Sequence, residues 1–267
     1  MTVPRPPLLA QGLACATLAG VLYGLQVLGE WPLLAGVIAL QLLLVLGVLA
    51  LLDAPAAGGI FALGVGAGVA ADLTIKLDDG KVSDLPGIVG LALVAALLHQ
   101  LIRRDRQRVT ESLAATMVVV ALVCMTAVLA AAPAKGVGPW PLRIGLVAGG
   151  LTLLAGRLGD RFLPRPAIAA YATRAWPGLG LALLAGLGGA ALVGSGHQPA
   201  GRAALIGLVA VSVAGGIDLA LDLAATELTP AHEDARRVAA LRPVAVLLPF
   251  AALAPILLLI TRLLPEA

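Results

Sequence analysis

Residues 33–52 read Leu33-Leu34-Ala35-Gly36-Val37-Ile38-Ala39-Leu40-Gln41-Leu42-Leu43-Leu44-Val45-Leu46-Gly47-Val48-Leu49-Ala50-Leu51-Leu52, a run with no charged side chain. A helix rises about 1.5 Å per residue, so about 20 such residues cross the hydrocarbon of a bilayer. Reading outward from this run, breaking at charges and at Pro/Gly clusters, gives about nine segments of the same kind. They cover about 8–29, 33–52, 57–77, 85–102, 111–132, 141–158, 176–196, 203–224 and 243–263. The connections between them are short, so the 267 residues form a single integral membrane domain. The expected fold class is all-α, a polytopic transmembrane helix bundle.

Composition agrees with that reading. The chain is 60% apolar, 12% charged and 3% aromatic, with a mean hydropathy of +1.01. A soluble domain carries about 25% charged residues, and a water-soluble fold could not hide this apolar excess. Soluble enzymes, disordered chains and disulfide-stapled secreted domains are excluded. The two cysteines, Cys15 and Cys124, both lie inside apolar runs and form no metal-ligand spacing with histidine. The first span is read as uncleaved, because the apolar run continues past Cys15.

The basic residues sit between the apolar runs, where they set orientation. Placing the N-terminus inside puts 12 of the 18 Lys and Arg on the cytoplasmic side, with Arg103, Arg104, Arg106 and Arg108 as the densest group. The other six, Lys76, Lys81, Lys135, Arg143, Arg202 and Arg262, fall outside. The expected placement is therefore a multi-pass cell-membrane protein with a cytoplasmic N-terminus and an external C-terminus. Trp31, Trp140 and Trp176 fall at span ends, where an indole prefers to sit. No basic groove with interleaved aromatics occurs, so nucleic acid is not an expected partner. Membrane lipids are; protein partners are left open.

An ionisable side chain inside a span invites a functional reading. Asp218 and Asp222 in Gly215-Gly216-Ile217-Asp218-Leu219-Ala220-Leu221-Asp222 are four apart and share a helix face. Such a pair can hold Mg²⁺ against a phosphate, couple to an ion, or simply answer arginines on a neighbouring helix. Arg157, Asp160 and Arg161 share a face at the inner end of the sixth span, and the two guanidiniums suit a lipid phosphate. His99, near the end of the fourth span, is a candidate acid/base. Together these make a candidate set: His99 and Asp160 as catalytic groups, Arg157 and Arg161 for phosphate, and Asp218 and Asp222 for metal.

Several structural expectations accompany it. Asp72 and Lys76 form an i,i+4 acid-to-base pair. Thr110 or Ser112 caps the fifth helix, with Glu111 in its first turn. Gly20–Gly24, Gly64–Gly68 and Gly145–Gly149 give small-residue faces for close helix approach. Thr229 caps, and Pro230 opens, a short interfacial helix leading into the ninth span, which carries Pro243, Pro249 and Pro255.

The stretch Leu97-Leu98-His99-Gln100-Leu101-Ile102-Arg103-Arg104, with Arg108-Val109-Thr110-Glu111-Ser112-Leu113-Ala114, resembles a family of polytopic membrane proteins of high-GC actinobacteria. That resemblance implies no activity. Three function classes follow from the residues: a non-catalytic envelope-associated protein, a membrane enzyme acting on a lipid-linked phosphate at the cytoplasmic face, and a small-solute or lipid transporter. An enzyme requires His99, Arg157, Asp160, Asp218 and Asp222 to face one cavity. A transporter requires a polar route from the inner site to the Asp72 region.

The orientation is tested by reporter fusions. A phosphatase that is active only outside the membrane should be active when fused at Gly80 and inactive at Arg106. The reverse pattern overturns the topology.

Overall fold

A computed structural model of the chain describes residues 8–54, 56–78, 80–103, 108–131, 138–163, 175–227 and 235–263. Among these residues there are nine helices: α1 (Leu8–Leu28), α2 (Glu30–Leu52), α3 (Ala57–Leu77), α4 (Leu85–Ile102), α5 (Val109–Ala131), α6 (Trp140–Phe162), α7 (Trp176–Gly194), α8 (Ala200–Glu227) and α9 (Ala235–Leu263). All nine are long and apolar enough to cross a membrane. The architecture is an all-α multi-pass bundle. The α3 and α4 bounds coincide with the spans read from sequence, and the others differ at their ends.

Prolines mark several starts. Pro86, Pro141 and Pro177 each occupy the second position of their helix, where the missing N–H would have had no intrahelical partner. Between α1 and α2 the chain reverses on one residue, Gly29, at φ 128°. L side chains avoid that conformation, which is why glycine stands there. Thr229, Pro230, His232, Glu233 and Asp234, and with them the expected interfacial cap, lie outside the described residues, as do Arg104 and Arg106.

The helices alternate in direction. The start of α1 packs on the end of α6 (Gly12 on Arg157), and the start of α2 meets the end of α3 (Glu30 with Lys76). One face of the bundle is thus the Arg103 end and the other the Lys76 end. Two groups of helices emerge. α1, α6, α7 and α8 pack on one another; α2, α3, α4 and α5 form the second group; α9 lies between and packs broadly on both. α6 and α9 are the most enclosed, whereas α4 is largely exposed on the outside.

Lipid tails are as apolar as leucine, so helices in a membrane gain by close packing rather than by hiding from water. Two of the three glycine steps serve this. A Cβ on Gly64 would fall 2.4 Å from Val119 Cγ1, and one on Gly68 would fall 2.9 Å from Gln41 Oε1. A Cβ on Gly145 would fall 2.2 Å from Leu257 Cδ1. The third step is a correction. Gly20 and Gly24 have nothing within 4 Å, because α1 buries the side carrying Cys15, Ala19 and Leu22 instead.

The tightest backbone approach is between α6 and α7, where a Cβ on Gly159 would lie 2.6 Å from Gly178 Cα. The nearest atom belongs to the backbone, which cannot turn aside as a side-chain end can. Gly159→Ala should therefore destabilise the protein in detergent by about 1–3 kcal/mol, as overpacked cores do. Gly180→Ala meets nothing within 4 Å and should be neutral or gain up to about 1 kcal/mol. Thermal unfolding of both variants checks the pair. Equal stability of the two would refute the close approach.

Candidate functional site

The end of α6 reads Gly156-Arg157-Leu158-Gly159-Asp160-Arg161. Arg157 is 4% exposed and turns into the bundle. There Nη2 donates a hydrogen bond to Asp218 Oδ1 on α8. Its Nη1 lies 4.0 Å from Asp222 Oδ1, one turn further along α8. Asp218 is 1% exposed and Asp222 is also buried. The shared face inferred from the i,i+4 spacing thus closes on one guanidinium.

Asp160, also buried, serves a different contact. Its Oδ1 accepts the Ala175 backbone N–H at 2.9 Å, just before α7 begins. A carboxylate is well placed at a helix N-terminus, where backbone N–H groups and the helix dipole favour negative charge. Gly178 makes the space, since a Cβ there would sit 2.1 Å from Asp160 Oδ1. α1 closes the other side: a Cβ on Gly12 would be 3.1 Å from Arg157 Cβ. Four helices (α1, α6, α7 and α8) therefore meet at this cluster.

The structure brings together Arg157, Asp160, Asp218 and Asp222. It does not bring His99 or Arg161 to them. His99 lies on α4 and packs on α3, its Nε2 2.1 Å from where a Gly59 Cβ would be. α4 packs substantially only on α3 and α5 among the described residues. Arg161 is exposed at the end of α6, so the two guanidiniums do not form a clamp. Among the described residues no three Asp, Glu, His or Cys side chains group as a metal-ligand set. The donors open to Mg²⁺ here are two carboxylates that already share a guanidinium.

Further polar ties cross the bundle among the described residues. In the α2–α3–α5 group, Gln41 Nε2 donates to Asp72 Oδ1 at 3.0 Å and to the Val123 carbonyl at 3.2 Å. This corrects the expected Asp72–Lys76 pair. Asp72 is buried between helices, whereas Lys76, nearer the end of α3, pairs with Glu30 and lies 5.0 Å from the Trp31 ring. Gln100 of α4 donates to Ser112 Oγ at 2.7 Å. Ser112 is thus an interhelical link rather than a cap, and its own N–H bonds the Arg108 carbonyl. Glu111, in the first turn of α5 as expected, pairs with Arg108. At the Lys76 end, Gln26 donates to the Pro139 carbonyl at 3.0 Å, and Trp140 stacks on His197 at 3.5 Å with Arg143 beside it.

Gln26, Gln41 and Gln100 are not among the residues expected at a site. Their signal was available: an amide inside an apolar run must find partners, because an unsatisfied polar group in hydrocarbon costs several kcal/mol. Compared with known proteins, the chain matches no family model, no curated protein and no solved structure.

A buried ion pair adds little net stability over apolar residues of similar volume, but breaking it by removing one partner costs about 3–5 kcal/mol. Arg157→Leu should therefore lower thermal stability strongly, by removing the guanidinium that the buried Asp218 and Asp222 share. The triple variant Arg157→Leu/Asp218→Leu/Asp222→Leu should recover most of the loss. A triple variant less stable than Arg157→Leu alone would contradict this reading of the cluster.

Proposed function

We propose that the protein is a non-catalytic, envelope-associated protein of the cytoplasmic membrane, oriented with its N-terminus inside. The observation that carries this reading is the closure of the Asp218–Asp222 face on Arg157. The carboxylates that would hold a metal, and the guanidinium that would hold a phosphate, hold each other. Of the two candidates for proton transfer, His99 belongs to a different group of helices, and Asp160 accepts the Ala175 backbone N–H. Two grooves among the described residues support the same reading, because their walls are mostly apolar. One of about 620 Å³ lies between α4, α5 and α9, with Arg262 as its charged side chain. Another of about 390 Å³ lies between α1, α2 and α9. Spaces of that character suit lipid rather than a water-soluble charged substrate.

The reading as an enzyme on a lipid-linked phosphate gives a different outcome in one experiment. Purified protein is melted with Mg²⁺ together with nucleotides or polyprenyl phosphates, beside the Asp218→Asn/Asp222→Asn variant. A ligand that binds only the folded state raises the melting point by mass action. The expected result is the same small ligand-induced shift in both proteins, whatever their own melting points. A Mg²⁺-dependent shift present in the native protein and lost in the variant would replace the proposal with the enzyme reading.

A further inference from the structure

The groove between α1, α2 and α9 divides by chemistry along its length. Its polar side chains are Gln11 of α1 and Arg242 of α9. Arg242 is exposed and Gln11 half-buried. Roughly one helical turn deeper, the walls become Ala14, Leu43, Val246 and Leu247. α2 and α9 close tightly beside it, where a Cβ on Gly47 would be 3.0 Å from Val244 Cγ2. A cation and an amide at the Arg103 end therefore stand over a purely apolar channel within the span.

We infer that this groove binds one anionic phospholipid, its phosphate on Arg242 and Gln11 and an acyl chain along Ala14, Leu43 and Leu247. The occupant follows from the order of the walls. An exposed guanidinium that makes no ion pair among the described residues matches a phosphodiester. Beneath it only methyl and methylene groups line the space, at a depth where the surrounding solvent is lipid. A soluble anion would leave the apolar length unfilled, and a zwitterionic headgroup would bring a second cation to Arg242. The other groove, at Arg262, offers one cation and no amide. The inference rests on the membrane placement in the proposed function and adds a ligand to it.

The test is native mass spectrometry of the full chain released from micelles containing equal phosphatidylglycerol and phosphatidylcholine of identical chains. One arginine near the headgroups contributes on the order of a fivefold preference for an anionic lipid. The native protein should retain phosphatidylglycerol over phosphatidylcholine by about that factor. Arg242→Gln should bring the ratio close to one, and Ala14→Trp, which fills the channel, should reduce both adducts. Arg262→Gln should keep the native ratio. An unchanged ratio in Arg242→Gln, undiminished adducts in Ala14→Trp, or a ratio lost in Arg262→Gln would each overturn the inference. The adduct masses separate it from the proposed function: a chemically altered lipid on the native protein refutes the non-catalytic reading and leaves the groove standing.

Discussion

A guanidinium carried into the apolar interior of a helix bundle has to be met by carboxylates, and Arg157 is met by Asp218 and Asp222. Removing such charges from water costs several kcal/mol per ion, which their mutual attraction offsets only when geometry and hydrogen bonding are good. The net gain in stability is therefore small. The gain in definition is larger. A one-residue slip of α6 against α8 turns Arg157 about 100° away from its acids, so the pair sets the register of those two helices. Asp160, three residues along α6, then fixes where α7 begins through the Ala175 N–H. Gly12 lets α1 lie against the stem of the same arginine. Register, helix start and neighbour packing in this group all depend on one buried cation.

A related device recurs with other polar groups. Buried or half-buried polar side chains repeatedly occupy the space that a Cβ would take on a neighbouring helix. Asp160 faces Gly178, Gln41 faces Gly68, His99 faces Gly59 and Thr152 faces Gly186. In a membrane, small residues are usually credited with bringing backbones together. Here they also leave room for the polar atom that ties the helices. This explains why some glycine steps matter and others do not: Gly68 makes space for an amide, whereas Gly20 and Gly24 face open space.

The spans were legible because the signal is one-dimensional. An apolar run of a certain length, closed by charge or proline, needs no partner to be recognised. Partners are another matter. The i,i+4 spacing of Asp218 and Asp222 correctly gave a shared face, and an arginine on a neighbouring helix was among the readings of it, though spacing could not single out Arg157. For Asp72 and Lys76 the same spacing misled. Lys76 has a flexible stem long enough to leave the buried face and reach Glu30 and Trp31, while Asp72 is short and stays where the helix puts it. His99 shows the limit from the other side. It lies near the same membrane face as Arg157 by topology, but which helices become neighbours is set by packing, and α4 packs on the far group.

The ninth helix bears on how the two groups relate. A proline within a helix removes one hydrogen bond and bends the axis away from the ring. Pro243, Pro249 and Pro255 are six residues apart, and six residues at about 100° each place successive prolines about 120° apart around the axis. Their environments differ accordingly. Pro243 is exposed beside the α1–α2 groove, Pro249 is buried, and Pro255 borders the α4–α5 groove. Three bends of similar size directed at thirds of a circle would cancel in tilt, and the helix runs through from Ala235 to Leu263. A hinge requires bends that add. Between two groups of helices tied internally by Arg157 and by Gln41, a continuous span whose bends oppose one another would act as a post holding the two groups rather than a joint between them.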